Sequence, residues 1–312
     1  MRQPTKPFAL QPGARIAIVA PASPVEKSRL DLGMNELARL GYESRYSSSV
    51  LSRNGYFAGP TDIRKAELEV ALSNPDEAGV FCARGGYGSN YLLDDLNLSV
   101  LRFPKILLGY SDITSVQIFL WQRLTWVTFY GPMVAAGFDA GADASGGYDL
   151  ATFQRALTET QRGWSFRLQG ETLVAGQADG VVLGGCLTMV ETTLGTPWEL
   201  DTNGALLLLE DRGMKPYQVD RALMHLKQAG KFSSVKGIIL GDFPDCEAPV
   251  QGGPTVREVC KRILAEFGVP VVWGAPIGHT PRPTLTVPLG VGARMEASGS
   301  GRLDILEPAV TA

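Results

Sequence analysis

Histidine is almost absent from this chain. The two that occur, His225 and His279, cannot assemble an HExxH or multi-histidine zinc site. Cysteine is scarce too: Cys82, Cys186, Cys246 and Cys260 include no CxxC pair, and three of them fall in segments that read as strand or helix. They read as buried free thiols of a protein from a reducing compartment, not as a disulfide frame or a metal cluster. No Lys/Arg run is present. With 29 basic residues against 32 acidic ones the net charge is only -3, which argues against a surface built mainly to neutralise nucleic-acid phosphates. No stretch reaches the roughly 18 uninterrupted apolar residues of a membrane-spanning helix. Near the N-terminus, Gln11 to Arg15 interrupts the apolar run, which therefore reads as a first strand rather than a signal-peptide core. The expectation is a cytoplasmic protein with neither nucleic acid nor membrane as partner.

What is present is the balance of an ordinary globular protein, 45% hydrophobic and 20% charged. At roughly 150 residues per domain, 312 residues suggest two domains. Glycine (36) and proline (20) are frequent enough to indicate many tight turns without low complexity. The first half alternates short β-branched runs with helical spacing. Arg15 to Ala20 precedes a segment with Leu30, Met34 and Leu37 on one face, and Thr61 and Asp62 can cap a helix carrying Ile63 and Leu68. Gly79 to Ala83, Ile106 to Leu108 and Trp126 to Tyr130 continue the strands. Repeated β-α units with short buried strands predict a parallel sheet covered by helices on both faces. From about Gly137 to Gly180 the pattern loosens into GFDAGADASGGYD, a short helical piece and polar strands, which predicts a linker over 141–178 between domains at 1–140 and 179–312. In the second domain the strand runs Ala205 to Leu209 and Gly237 to Leu240 alternate with helices opened at Pro216 and Thr255, and Leu285 to Leu306 reads as hairpin strands. No internal repeat of fixed period occurs.

Four places could carry chemistry. In ILLGYSDIT an apolar strand runs into Gly109-Tyr110-Ser111 and a helix follows at once. This resembles the strand-to-helix elbow that exposes a nucleophilic hydroxyl, with the Asp112 N–H able to face an oxyanion, although only half of GxSxG is present and Ser111 could simply cap the helix. The loop Arg84-Gly85-Gly86-Tyr87-Gly88 follows a strand and could offer a second backbone donor or be a plain tight turn; its spacing fits neither GxGxxG nor a P-loop. Glu210 and Asp211 end the run GALLLLED, either as an exposed acidic pair or as a partner for an imidazolium. His279 sits in the turn-rich GAPIGHTPRP after a strand, where a general base or an ordinary loop histidine would both fit, whereas His225 between Met224 and Leu226 reads as a helix-surface residue. Ser, Glu and His at three strand ends make a stronger case together than singly.

At this point the sequence resembles a known family, the serine LD-carboxypeptidases, which also include the microcin-immunity peptidases. The matching stretches are IAIVAPASPV, CARGGYGSNYLLDDLN at 82–97, LLGYSDIT at 107–114, LGTPWELDT at 194–202, LLLLEDRGMKPYQVDRAL at 206–223 and PIGHTPRPTLTVPLGV at 276–291, in family order and over nearly the whole chain. The resemblance implies an α/β protein: an N-terminal flavodoxin-like, parallel-sheet nucleophile domain and a C-terminal mixed β/α domain, paired as a homodimer. It implies Ser111 as nucleophile, Glu210 as orienting acid and His279 as base, with oxyanion donors from Asp112 and from Gly85 or Gly86. The activity implied is removal of the terminal D-amino acid from an L,D bond of murein tetrapeptides, without metal or organic cofactor. Hydrolysis of a peptidyl-nucleotide antibiotic is the alternative within the family, and a non-catalytic ligand-binding module the alternative outside it. One departure stands out: where many members read HGP, this chain reads Tyr130-Gly131-Pro132.

Overall fold

A computed structural model describes residues 3–248 and 251–312. The first half builds β1 (Arg15–Val19), α1 (Lys27–Arg39), β2 (Glu43–Tyr46), α2 (Thr61–Ser73), β3 (Gly79–Cys82), β4 (Ile106–Gly109), α3 (Thr114–Leu124) and β5 (Thr128–Tyr130). These strands pair in parallel in the order β2-β1-β3-β4-β5, the flavodoxin-like arrangement. β3 and β4 are buried along their whole length, as strands covered on both faces must be, so they carry apolar runs instead of alternation. Thr61 opens α2 directly, with Pro60 before it and no side-chain cap, because the proline fixes the extended entry that a capping hydroxyl would otherwise stabilise.

The second half adds α4 (Leu150–Thr158), β6 (Trp164–Arg167), β7 (Glu171–Val174), β8 (Gly176–Cys186), α5 (Leu187–Thr192), β9 (Ala205–Glu210), α6 (Pro216–Gln228), β10 (Gly237–Gly241), α7 (Val256–Leu264), β11 (Val271–Ala275), β12 (Val287–Leu289), β13 (Gly292–Ala297) and β14 (Arg302–Ile305). An eight-stranded mixed sheet results, in the order β6-β14-β13-β8-β9-β10-β11-β7, with β8 to β11 parallel and the flanking strands antiparallel. Pro216 in the first turn of α6 and the Thr255/Glu258 capping box of α7 start these helices where the sequence places them.

Two expectations about organisation change. Residues 141–178 carry the expected short helix and polar strands, as α4, β6, β7 and the start of β8, but β6 and β7 are members of the second sheet and not a separate connection. β6 and β7 lie at the two edges of the second sheet, where one side of each strand meets solvent, which accounts for their polar composition. The tail is also not one set of hairpins. β13 and β14 form a hairpin, but β12 leaves for the first sheet, where Val287 pairs antiparallel with Tyr130. The two sheets consequently share a continuous core that runs from Ile16, Phe81 and Phe129 to Leu206, Met295 and Leu303.

Helix α1 shows how closely this core is fitted. Gly33 faces the Val134 backbone, and a β-carbon at 33 would fall on the Val134 carbonyl. In an exposed helix Gly→Ala stabilises by about 1 kcal/mol. Here the expected sign is reversed: Gly33→Ala should lose about 1–3 kcal/mol in urea unfolding, because backbone offers no flexible end to move aside. A more stable variant would show that α1 is free to shift.

Candidate active site

Three strand ends and one loop converge where the two sheets meet. Ser111 follows β4 with φ 65°, a left-handed conformation that a non-glycine residue adopts only under constraint, and a single turn of 3-10 helix, Ser111–Ile113, leads into α3. The Ser111 N–H donates to the Tyr130 hydroxyl at 3.3 Å and the Ile113 N–H to the Tyr110 carbonyl at 3.4 Å. Asp112 lies between them in the first turn, where an N–H has no helical acceptor. Its side chain turns away from the elbow. The carboxylate accepts from the Ser89 N–H at 2.8 Å, and the Ser89 hydroxyl donates to the Asp112 carbonyl at 2.7 Å.

The glycine loop after β3 closes on this elbow. A β-carbon at Gly85 would stand 2.8 Å from the Ser111 β-carbon and 3.0 Å from its hydroxyl oxygen, so only glycine lets the loop backbone come so near. Gly86 has φ 111° and abuts Ser23, whose hydroxyl accepts from the Tyr87 N–H at 3.0 Å. Arg64, fully buried, ties the loops after β1 and β3 together by donating to the carbonyls of Pro21 and Gly88. Burial pushes its guanidinium pKa down, against the nearby Asp112 charge. Sequence reasoning passed over Ser23 and Arg64. The signal for Arg64 was a charge on the same helical face as Leu68 and Leu72, both in the core.

Glu210 ends β9 with no exposed surface. Its Oε2 accepts from His279 Nδ1 at 2.8 Å and from the His279 backbone N–H at 2.9 Å, while Oε1 accepts from the Tyr130 hydroxyl at 2.5 Å. Gly278 (φ 69°) makes room for the carboxyl, since a β-carbon there would lie 2.5 Å from Glu210 Cδ. Asp211, one residue on, faces the other way. It accepts from the Thr188 N–H at 2.8 Å and the Thr188 hydroxyl at 2.7 Å, holding the start of α5, and burial raises its pKa. The side chains of successive strand residues diverge, and here they divide two buried carboxylates between two tasks.

His279 follows β11 on a loop clamped from below: Thr280 and Arg282 both donate to Asp242 at the end of β10, and Arg282 also reaches the Gly274 carbonyl. The Tyr110 ring meets the imidazole edge-on at 5.0 Å. Burial disfavours the imidazolium, but the Glu210 charge and hydrogen bond outweigh it, and the pKa stands above the ordinary 6.5. With Nδ1 engaged, Nε2 is the nitrogen left to exchange a proton. His225 is elsewhere, half exposed on α6 with Nδ1 3.0 Å from Glu191.

Ser111, Gly86, Arg212 and His279 line both a cavity of about 580 Å³ and a smaller one of about 230 Å³. The larger also presents Arg29, paired with Asp139, and Arg84, which donates to the Pro24 carbonyl at 3.2 Å. Among the described residues no three His, Cys, Asp or Glu side chains gather as a metal site requires. No helix of the described residues is long and apolar enough to cross a membrane.

A hydroxyl on a constrained elbow, glycine backbone beside it and an imidazole backed by a buried carboxylate are the equipment of a hydrolase. The chain belongs to the LD-carboxypeptidase family: the profile of the LD-carboxypeptidase N-terminal domain matches residues 16–131 and that of the LD-carboxypeptidase C-terminal domain residues 179–295. It is 36% identical over 297 residues to a "probable murein peptide carboxypeptidase" of Bacillus subtilis, covering 94% of this chain and 92% of that one. It is 29% identical to a murein tetrapeptide carboxypeptidase of Pseudomonas aeruginosa, over 94% and 93% of the two chains. Among solved structures, the muramoyltetrapeptide carboxypeptidase from Oxalobacter formigenes superposes with a TM-score of 0.84 at 30% identity, covering 96% of this chain and all of that one. The microcin C7 self immunity protein MccF in complex with aspartyl sulfamoyl adenosine does so at 0.90 and 25% identity, over 99% and 100%.

The His279 environment makes a sign-definite prediction. With only two histidines in the chain, imidazole NMR signals can be titrated individually. His279 should titrate above 6.5 in the native protein. In Glu210→Gln both raising causes on the side-chain carboxylate vanish and burial remains, so the titration should fall below 6.5. Asp211→Asn should move it far less. A Glu210→Gln protein with an unmoved His279 would break the pairing.

Proposed function

We propose that this protein is a serine-type LD-carboxypeptidase that removes the terminal D-alanine from murein tetrapeptides, in the cytoplasm, during peptidoglycan recycling. The observation that carries the reading is the buried Glu210–His279 hydrogen bond on the same cavity wall as Ser111. The names of the murein-peptide relatives supply the substrate class.

The scissile carbonyl enters at Ser111, where the small cavity meets the large one. His279 Nε2 takes the hydroxyl proton as Ser111 attacks the carbonyl carbon, and Glu210 stabilises the imidazolium through Nδ1. The tetrahedral oxyanion is received by the Asp112 N–H at the start of the 3-10 turn and by a backbone N–H of the Gly85-Gly86 pair. His279 then returns the proton to the leaving amine, and the terminal amino acid departs. Water, activated by the same imidazole, hydrolyses the acyl-serine. No step calls on a metal. The arginines of the large cavity suit a substrate rich in carboxylates.

A second reading has an observation of its own: the neighbour that superposes at a TM-score of 0.90 is solved with aspartyl sulfamoyl adenosine. Both substrate classes therefore belong in one assay. Purified protein is incubated with murein tetrapeptide and with an aminoacyl sulfamoyl nucleoside, and products are read by mass spectrometry. The expected product is tripeptide plus free D-alanine, with the nucleoside turned over far more slowly. Preference for the nucleoside would install the second reading, and no turnover of either would overturn hydrolysis of both classes.

Ser111→Ala and His279→Ala should each lower kcat/KM on the tetrapeptide by roughly a thousandfold or more, with the double variant little worse than either, because they act as a unit. Losses that multiply would separate them. His225→Ala should retain wild-type turnover. Glu210→Gln should lose roughly a hundredfold or more in kcat with substrate binding kept, while Asp211→Asn should chiefly lower Tm through the α5 anchor. An inactive but stable Asp211→Asn protein beside an active Glu210→Gln one would transfer the acid to Asp211. Turnover should also survive exhaustive chelation; loss restored by a divalent ion would refute the metal-free mechanism.

A further inference from the structure

We propose that Tyr130 is a positioning residue that couples the acid to the nucleophile, acting through Glu210 and the Ser111 backbone at once. The proposal deepens the serine-peptidase reading and rests on it for the roles of Glu210 and Ser111.

Tyr130 ends β5 and is fully buried. Its hydroxyl donates to Glu210 Oε1 at 2.5 Å and accepts from the Ser111 N–H at 3.3 Å. Glu210 Oε2 meanwhile takes His279 Nδ1. The phenol therefore bridges two elements from different sheets, the end of β9 and the elbow after β4. Space is reserved for it: a β-carbon at Gly185, which has φ 139°, would stand 2.9 Å from Tyr130 Cε2. The ring is fixed at its base as well, since Tyr130 pairs with Gly109 of β4 on one side and Val287 of β12 on the other.

Each bond has a separate consequence. The bond from Ser111 N occupies that N–H, so it holds the left-handed elbow in place and leaves the next N–H, that of Asp112, for an oxyanion. The bond to Glu210 competes with His279 for the carboxylate's charge. Burial and the Glu210 charge keep the phenol protonated, so it acts as a donor. Without that donor, more of the negative charge falls to the imidazolium, and the protonated form of His279 gains. The other groups acting on His279 are Asp211, which favours its charge, and Arg212, which opposes it, with the Tyr110 ring packed at its edge. None of these changes when the Tyr130 hydroxyl is removed.

The test compares Tyr130→Phe, and 3,5-difluorotyrosine introduced at position 130, with the native protein. The readouts are NMR titration of His279, turnover of tetrapeptide and Tm. Removing the hydroxyl should raise the His279 titration by about half a pH unit or more and lower kcat about ten- to a hundredfold with little change in KM. The fluorinated phenol is a stronger donor, its fluorines on Cε1 and Cε2 only slightly larger than the hydrogens they replace, so it should move the titration the other way. Shifts of opposite sign support the coupling. An unmoved titration in both variants, or shifts of the same sign, overturns it whatever happens to Tm. If Tyr130→Phe fails to fold, the fluorinated protein decides alone. Because the titration needs no substrate, a protein inactive on tetrapeptides but with opposite shifts would defeat the proposed activity and leave the coupling standing.

Discussion

A carboxylate with no exposed surface has to be answered by its surroundings, and Glu210 imposes that demand on the whole molecule. Removing an ion from water is penalised by several kcal/mol even after relaxation. The protein meets it with three donors from two separate places: the ring and backbone of His279 after β11, and the hydroxyl of Tyr130 at the end of β5. Those donors cannot gather unless both sheets are formed and docked. The glycines at 241 and 278, each with no side chain to collide with Glu210, show how far the backbone has been shaped around one group. Half satisfied, the cluster would destabilise the fold; fully satisfied, it fixes one relative placement of the sheets.

Much of this was legible before any coordinates, because the features that matter are carried by local patterns. Short apolar runs between turn signals gave β1, β3, β4, β9 and β10 to within a residue or two, since buried parallel strands leave nothing else to write. Ser111, Glu210 and His279 each stand just past such a run, which is where an open α/β sheet presents its ligands. β6 and β7 were legible only as polar strands of a connection, because an edge strand's exposed side removes the hydrophobic signal that would assign it to a sheet. The union of β12 with β5 was illegible for another reason: a three-residue strand joining the sheet of a distant segment leaves no trace in local spacing.

The division of labour between Glu210 and Asp211 sits between these cases. Alternation along a strand requires that the two side chains part, but does not say which one meets the histidine. That is decided by what stands on either side of β9: Tyr130 and the His279 loop for Glu210, the start of α5 for Asp211. Tyr130 itself was visible only as a substitution at a familiar place. Its meaning needed the third dimension, because neither of its partners is near it in sequence and one of them is a backbone amide.

The order in which the groups occur along the chain has a further effect. The first half carries the hydroxyl and the glycine loop, while the carboxylate, the imidazole and the strand that braces Tyr130 all emerge later, β12 among the last. On the proposed reading, hydrolysis therefore needs both halves docked: a fragment that stops before position 279 would carry the Ser111 hydroxyl without its proposed base.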